Sequence, residues 1–123
     1  MDPLAAFAWC WILLGLLSGV AMGLLFHRDD WLGGYGSWPR RMVRLGHISF
    51  FGTGMLCLLA ALTRSQWPGV GGGEWLVVGA LTMPAVCFAS AAWKPARHLF
   101  FVPVLGLIAG TAAAAWSGVS YGG

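Results

Sequence analysis

The segment LAAFAWCWILLGLLSGVAMGLLF, residues 4–26, contains no charged side chain. A helix needs about 20 apolar residues to cross the hydrocarbon core of a bilayer. Backbone amides find no water in hydrocarbon, so such a segment must satisfy them internally as a helix. Asp2 is the only charged side chain ahead of the run, which therefore lacks the positive start of a signal peptide and is also too long for one. We expect the segment to remain as a membrane-spanning helix.

The composition of the whole chain agrees with this interpretation. Of its 123 residues, 59% are hydrophobic and 9% are charged, whereas a soluble domain has about 25% charged residues. A chain of this length forms one domain and cannot bury so much apolar surface within itself. The net charge of +3 does not indicate a nucleic-acid partner, because the basic residues lie at the ends of apolar runs and form no stripe. The expected partner is the lipid bilayer.

Three further apolar runs follow the first one, and each lacks the period-two alternation of a strand. The four predicted spans are residues 4–26, 45–63, 75–93 and 99–117. They predict an all-α integral membrane protein whose single domain, residues 1–123, is an antiparallel bundle of four transmembrane helices. The last connection, KPARH at residues 94–98, is short enough to make the third and fourth spans a tight hairpin.

The basic residues are distributed unequally among the three connections. The first and third connections hold six of the seven: Arg28, Arg40, Arg41, Arg44, Lys94 and Arg97. The second connection holds Arg64 alone. Because connections rich in lysine and arginine stay in the cytoplasm, we expect the first and third connections to be cytoplasmic and both termini to lie on the opposite side.

Small residues recur at every fourth position in the first and fourth spans. They are Gly15, Gly19 and Gly23 in the first span, and Gly106, Gly110 and Ala114 in the fourth. Such rows let two helix backbones approach closely, so they predict packing against another helix of this chain or of a partner. In the third span Pro84 removes a backbone donor and frees the carbonyl of Ala80, which predicts a kink.

Three histidines lie beside the first and third connections, and they are the one group in the sequence that suggests chemistry. They are His27, His47 and His98. The predicted topology brings all three to the cytoplasmic edge of the membrane. His47 lies inside an apolar span, one turn after Arg44, and ionisable residues in such positions are often functional. The alternative is structural, because histidine is also tolerated at the interface without a ligand.

Three kinds of cofactor suit imidazoles at one depth. A b-type haem would take two of them as axial ligands, with Arg44 near its propionates. A non-haem metal would add a neighbouring aspartate to the imidazoles. A quinone headgroup would accept a hydrogen bond from His47, with Phe50 and Phe51 packing against its ring.

The function predicted first is that of a small, non-catalytic accessory subunit in a larger membrane assembly of respiratory or photosynthetic type. The alternative is a redox or electron-transfer subunit that binds haem, a metal or a quinone near His47. A weaker alternative is a homo-oligomeric carrier or channel for an uncharged solute. No Asp, Glu, Lys or Arg lies in the middle of any span, which argues against an ion-coupled transporter.

Overall fold

The structure, a computed structural model, describes residues 1–122 and consists of four long helices. Helix α1 spans Pro3–Phe26, α2 spans Trp38–Gln66, α3 spans Gly73–Ala92 and α4 spans Phe101–Gly122. Two short 3-10 helices, Trp31–Gly33 and Lys94–Leu99, lie in the first and third connections. No strand occurs among the described residues. The predicted all-α class and the number of long helices are confirmed.

All four helices are long and apolar enough to cross a membrane, the fourth together with the 3-10 helix before it. Helix α2 differs most from its predicted span, because it begins at Trp38 rather than at residue 45. Ser37 Oγ accepts a hydrogen bond from the amide of Arg40 at 3.3 Å, and Pro39 occupies the first turn. Both features favour a helix start. Arg40, Arg41 and Arg44 therefore lie on a helix and not in a loop.

The helices pack in the order of the sequence. Extensive contacts join α1 to α2, α2 to α3 and α3 to α4, so α1 and α4 are the outer helices of a row. Neighbouring helices run antiparallel. Asp2 at the start of α1 binds Arg64 near the end of α2, Trp38 at the start of α2 bonds to Ser90 near the end of α3, and Gly71 just before α3 bonds to Ser117 late in α4. We call this end of the row the Asp2 end. The opposite end, which holds residues 27–37 and 93–100, is called the Arg40 end.

The first three helices share one core near the Asp2 end. Its buried residues are Leu4 and Ala8 from α1, Cys57 and Ala61 from α2, and Leu76 and Ala80 from α3. Small side chains predominate because the helix backbones lie close together. At Gly54, an added Cβ would lie 2.9 Å from Ile12 Cγ1 and 3.5 Å from the carbonyl oxygen of Ala8. Side-chain bulk at that position would push α1 away from α2.

Helices α3 and α4 also meet through glycines. An added Cβ at Gly106 would lie 3.2 Å from both the Gly79 nitrogen and the Trp75 carbonyl oxygen, and one at Gly110 would lie 2.8 Å from Leu76 Cγ. Gly72, with φ of 98°, ends the connection before α3 and lies against the backbone of Gly110. The row of small residues on α4 therefore packs within this chain. Ala114, the third member of the row, lines a shallow groove between α4 and α2.

The three glycines in the row on α1 have different surroundings: two lie against α2, and the third lies at an open groove. An added Cβ at Gly15 would lie 3.0 Å from Phe50 Cβ, and one at Gly19 would lie 2.7 Å from His47 Cε1. Both glycines therefore bring α1 close to α2. No heavy atom lies within 4 Å of a Cβ at Gly23, so this residue does not make the helix contact that its spacing predicts. Gly23 instead lines a groove between α1 and α2.

Helix α3 is continuous through Pro84. The hydroxyl of Thr82, two residues earlier, donates to the carbonyl oxygen of Val78 at 2.6 Å. Pro84 is buried, so the ring that lacks a donor is packed inside the protein. The kink at this position stays a prediction.

Candidate functional site

A groove of about 310 Å³ lies between α1 and α2 toward the Arg40 end. It is lined by Gly19, Met22, Gly23 and Phe26 from α1 and by Arg44, His47 and Ile48 from α2. Ligand pockets in proteins are mostly apolar with a few placed polar groups, and their volumes begin at about 300 Å³. Two of the four residues that the sequence selected for cofactor binding, His47 and Arg44, thus share one small cavity.

His47 is held in a fixed orientation by its neighbours. Its Nδ1 lies 3.0 Å from Ser18 Oγ, and its ring meets that of Phe51 edge to face at a centroid distance of 5.5 Å. Gly19 supplies the space for the ring. Nε2 has no hydrogen-bond partner among the described residues. The side chain therefore presents one constrained nitrogen and one unpartnered nitrogen.

Arg44 lies one turn closer to the Arg40 end than His47. Its guanidinium stacks on Tyr35, with Cζ 4.4 Å from the ring centroid, and Nη2 donates to the Tyr35 carbonyl oxygen at 3.2 Å. One of its five N–H donors is used in this bond. The remaining donors are free to serve a ligand while the stacking holds the side chain in place.

The other two histidines do not line this groove. His27 follows α1 as its C-terminal cap, and His98 lies in the second 3-10 helix; both side chains are exposed. Gly19, beside His47, is seven residues before the end of α1 at Phe26, which corresponds to about 10 Å of helix. His47 is the tenth residue of α2, so the structure does not bring the three histidines together in one groove, and their common depth in the membrane stays a prediction.

The aromatic residues that the sequence associated with a quinone also lie elsewhere. Phe51 contacts the edge of the His47 ring, and Phe50 packs against Trp11 at a centroid distance of 5.0 Å. Neither residue lines the groove, whereas Phe26 does. Within residues 1–122, no three His, Cys, Asp or Glu side chains are placed to hold a metal ion. The haem alternative stays a prediction.

The structure adds a residue that sequence reasoning missed. Arg40 is 1% exposed, and its Nη2 donates to the carbonyl oxygen of Phe26 at 2.6 Å. Its Nη1 lies 3.4 Å from the carbonyl oxygens of Arg28 and Asp29. These carbonyls end α1 and begin the first connection, where backbone acceptors lack helical partners. Arg40 therefore acts as a cap from a neighbouring helix.

Aromatic rings surround the same guanidinium. The Arg40 Cζ lies 4.5 Å from the centroid of Phe26, 5.7 Å from that of Tyr35 and 5.8 Å from that of Trp31. A desolvated cation over aromatic faces gains up to about 2 kcal/mol. The first connection is thus folded around a buried cation, and this arrangement forms the wall of the groove at Phe26.

Trp38, in the first turn of α2, contacts both the end of α3 and the third connection. Trp38 Nε1 donates to the Ser90 carbonyl oxygen at 2.8 Å, and Lys94 Nζ lies 5.2 Å from the centroid of the Trp38 ring. Four basic side chains, Arg40, Arg44, Lys94 and Arg97, therefore lie over aromatic rings at or beside the Arg40 end of the protein. The sequence gives some indication of these contacts, since tryptophan or tyrosine alternates with arginine or lysine in and beside the first and third connections. The spacing does not specify which ring each cation contacts.

This groove contains a fixed imidazole and a stacked guanidinium one helical turn apart. It is therefore our candidate site for a small ligand. Comparison with protein families, with curated proteins and with solved structures finds no match to this chain.

Proposed function

We propose that the chain is a small, non-catalytic accessory subunit that packs beside larger proteins in a membrane assembly of respiratory or photosynthetic type. Its four long apolar helices support a place in the bilayer. Six of its seven Lys and Arg residues lie within residues 28–44 and 94–97, in the Arg40 end and in the first turns of α2 beside it. By the positive-inside rule, this end faces the cytoplasm and the Asp2 end faces the opposite side.

The observation that carries the proposal is the single-row packing of the helices. Helix α4 packs mainly against α3. In the segment Lys94–Ser120, which contains most of α4, 17% of the membrane-length apolar stretch is buried, compared with 39% in α3. A row of this kind has two broad lateral faces and two outer helices available to neighbours. Apolar exposure alone does not distinguish lipid from protein, because lipid tails are as apolar as leucine.

The shape of one lateral face favours a protein neighbour. A groove of about 500 Å³ follows α3 and α4, and its lining includes Trp75, Val78, Leu105, Ile108 and Ala109. Helices associate in membranes chiefly by close van der Waals packing at small residues. A ridge of side chains from a partner helix would fill this groove and restore the dispersion contacts that an unfilled surface lacks.

The test is gentle solubilisation of the tagged full chain from the cells that produce it, followed by native electrophoresis and quantitative protein identification. We expect the chain to migrate with a fixed stoichiometric set of larger membrane proteins. Ala109→Trp fills the groove and should release the chain, whereas Ala21→Trp, a change at an exposed site on α1, should not. Migration as a monomer would contradict the proposal. Migration only as a homo-oligomer would favour the alternative function, a homo-oligomeric carrier or channel for an uncharged solute.

A further inference from the structure

We propose that the groove between α1 and α2 binds the headgroup of a lipid-soluble quinol, a dihydroxylated aromatic ring with a hydrocarbon tail. This inference rests on the membrane placement proposed above, because such a ligand reaches the groove from the bilayer. The groove combines an apolar lining with two polar side chains, Arg44 and His47. Its volume of about 310 Å³ suits one substituted ring, at the lower limit of ligand pockets.

The hydrogen bonds of Ser18 place a proton on Nδ1 of His47. The Ser18 hydroxyl has a single proton and donates it to the carbonyl oxygen of Gly15 at 2.9 Å. Its oxygen therefore accepts from His47 Nδ1 across 3.0 Å. A neutral imidazole with a proton on Nδ1 has a lone pair on Nε2. In this neutral form His47 offers the groove an acceptor at Nε2, which matches a ligand hydroxyl.

Arg44 supplies the second polar contact. Residues three apart on a helix have Cβ atoms about 5–6 Å apart, so Arg44 and His47 are spaced to reach oxygens on opposite sides of one ring. Stacking on Tyr35 fixes the guanidinium, and four of its donors remain after the bond to the Tyr35 carbonyl. The ligand oxygen nearer the Arg40 end would accept from this guanidinium.

The floor of the groove is set by two glycines on α1. Gly19 lies beneath the His47 ring, and the space above Gly23 is open for at least 4 Å. Met22, Phe26 and Ile48 form apolar walls, which suit the faces of an aromatic ring and the start of its tail. Any side chain at position 23 would occupy the volume that the ring requires.

The same geometry argues against two other occupants. The oxidised quinone has carbonyl oxygens and no hydroxyl to donate to Nε2, so the groove should prefer the reduced form. A phospholipid phosphate would bind Arg44, but its ester oxygens would face the lone pair of His47 one turn deeper. A quinol satisfies both side chains with one ring.

The experiment measures binding of a decyl-tailed ubiquinol, and separately its oxidised form, to the purified full chain in detergent, by separation of bound from free ligand. We expect the reduced form to bind about tenfold more tightly, which is the effect of one hydrogen bond to a buried partner. His47→Leu and Arg44→Gln should each weaken binding of the reduced form about tenfold. Ser18→Ala should reduce the difference in affinity between the reduced and oxidised forms, because no acceptor then keeps the His47 proton on Nδ1.

Two matched pairs separate ligand contacts from effects on folding. Gly23→Leu should abolish binding, whereas Gly52→Leu, at an exposed position of α2 that also has no neighbour within 4 Å, should leave binding unchanged. Arg41→Gln, on the exposed side of α2, is the control for Arg44→Gln. Equal binding by the Gly23→Leu variant, tighter binding of the oxidised form, or retention of an anionic phospholipid in place of the quinol would overturn the inference.

Extraction of the cell membranes with alkaline carbonate distinguishes the two proposals. A chain that leaves the membrane in carbonate contradicts the membrane subunit and the quinol site together. A chain that resists extraction and binds no quinol contradicts the quinol site alone.

Discussion

Arg40 and Phe26 interact twice. The Arg40 guanidinium donates a 2.6 Å hydrogen bond to the Phe26 carbonyl oxygen and lies 4.5 Å from the centroid of the Phe26 ring. One side chain from α2 therefore both caps the end of α1 and packs against its last residue. This pair fixes the angle between the two helices at the end of the groove, where Phe26 forms the wall.

Replacing Arg40 should destabilise the protein strongly. Arg40→Gln removes the charged hydrogen bond and leaves the last carbonyls of α1 unpartnered, which should lower the free energy of unfolding by about 2–3 kcal/mol. Arg41→Gln, at the exposed neighbouring position, should change it by less than about 0.5 kcal/mol. Unfolding in mixed micelles, followed by circular dichroism, measures both. Equal effects of the two substitutions would contradict the capping role.

Two glycines of α1 should respond in opposite ways to the same substitution. At Gly19 an added Cβ would lie 2.7 Å from His47 Cε1, so Gly19→Ala should destabilise the fold by about 1–3 kcal/mol through overpacking. At Gly23 the space is open, so Gly23→Ala should stabilise α1 by about 0.5–1 kcal/mol through its helix propensity. The same unfolding assay compares them. A loss of stability in Gly23→Ala would mean that this position packs against a helix after all.

The close approach of α3 and α4 should depend on Gly106. Its missing Cβ leaves room for the backbone of Gly79 and Trp75, which cannot move as a flexible side chain can. Gly106→Ala should therefore lower the free energy of unfolding by about 1–3 kcal/mol. Gly118→Ala, on the same helix with no neighbour within 4 Å, should not destabilise. Similar losses for both variants would indicate a general effect of alanine on α4 and would contradict the packing described for Gly106.

The ion pair at the Asp2 end predicts a dependence of stability on pH. Hydrogen bonds from the Arg64 side chain and from the Leu4 amide lower the pKa of Asp2 from 3.8 to about 2. A carboxyl whose pKa is lower in the folded protein stabilises it above the unfolded pKa, and this contribution disappears as the pH falls through the folded pKa. The contribution of Asp2 is thus complete at neutral pH and is lost between pH 3.8 and about 2.

The measurement compares the unfolding transition of the wild type with that of Asp2→Asn. The wild type should be the more stable at about pH 6, and the difference should shrink at about pH 2 because the carboxyl is then protonated. A difference that stays constant over this range would show that Asp2 acts through its cap of Leu4 without its charge.

The sequence predicts those features of the fold that depend on hydropathy. Long apolar runs predicted four helices, and the shortness of residues 94–98 predicted the adjacent packing of α3 and α4. Helix α2 extends seven residues ahead of its predicted span, because a capping serine and a first-turn proline favour a helix start that hydropathy does not register.

The details of the groove depend on contacts that spacing does not specify. The glycines at positions 15, 19 and 23 have the same sequence spacing, yet Gly23 alone has no neighbour within 4 Å of an added Cβ. The bond between Ser18 and His47 joins residues 29 apart, and an isolated serine in an apolar helix gives no indication of its partner. The burial of Arg40 is not predictable from its charge and position, because Arg41 beside it on the same helix is exposed.

The most direct test of the whole account is the side of the membrane on which each connection lies. Single cysteines are introduced at Gly36, Lys94 and Gly69 in a chain whose native cysteines, Cys10, Cys57 and Cys87, are replaced by alanine, and intact cells are treated with a membrane-impermeant thiol reagent. We predict that the cysteine at position 69 is labelled from outside and that those at positions 36 and 94 are labelled only after the membrane is opened. Labelling of positions 36 and 94 from different sides would contradict the four-span arrangement.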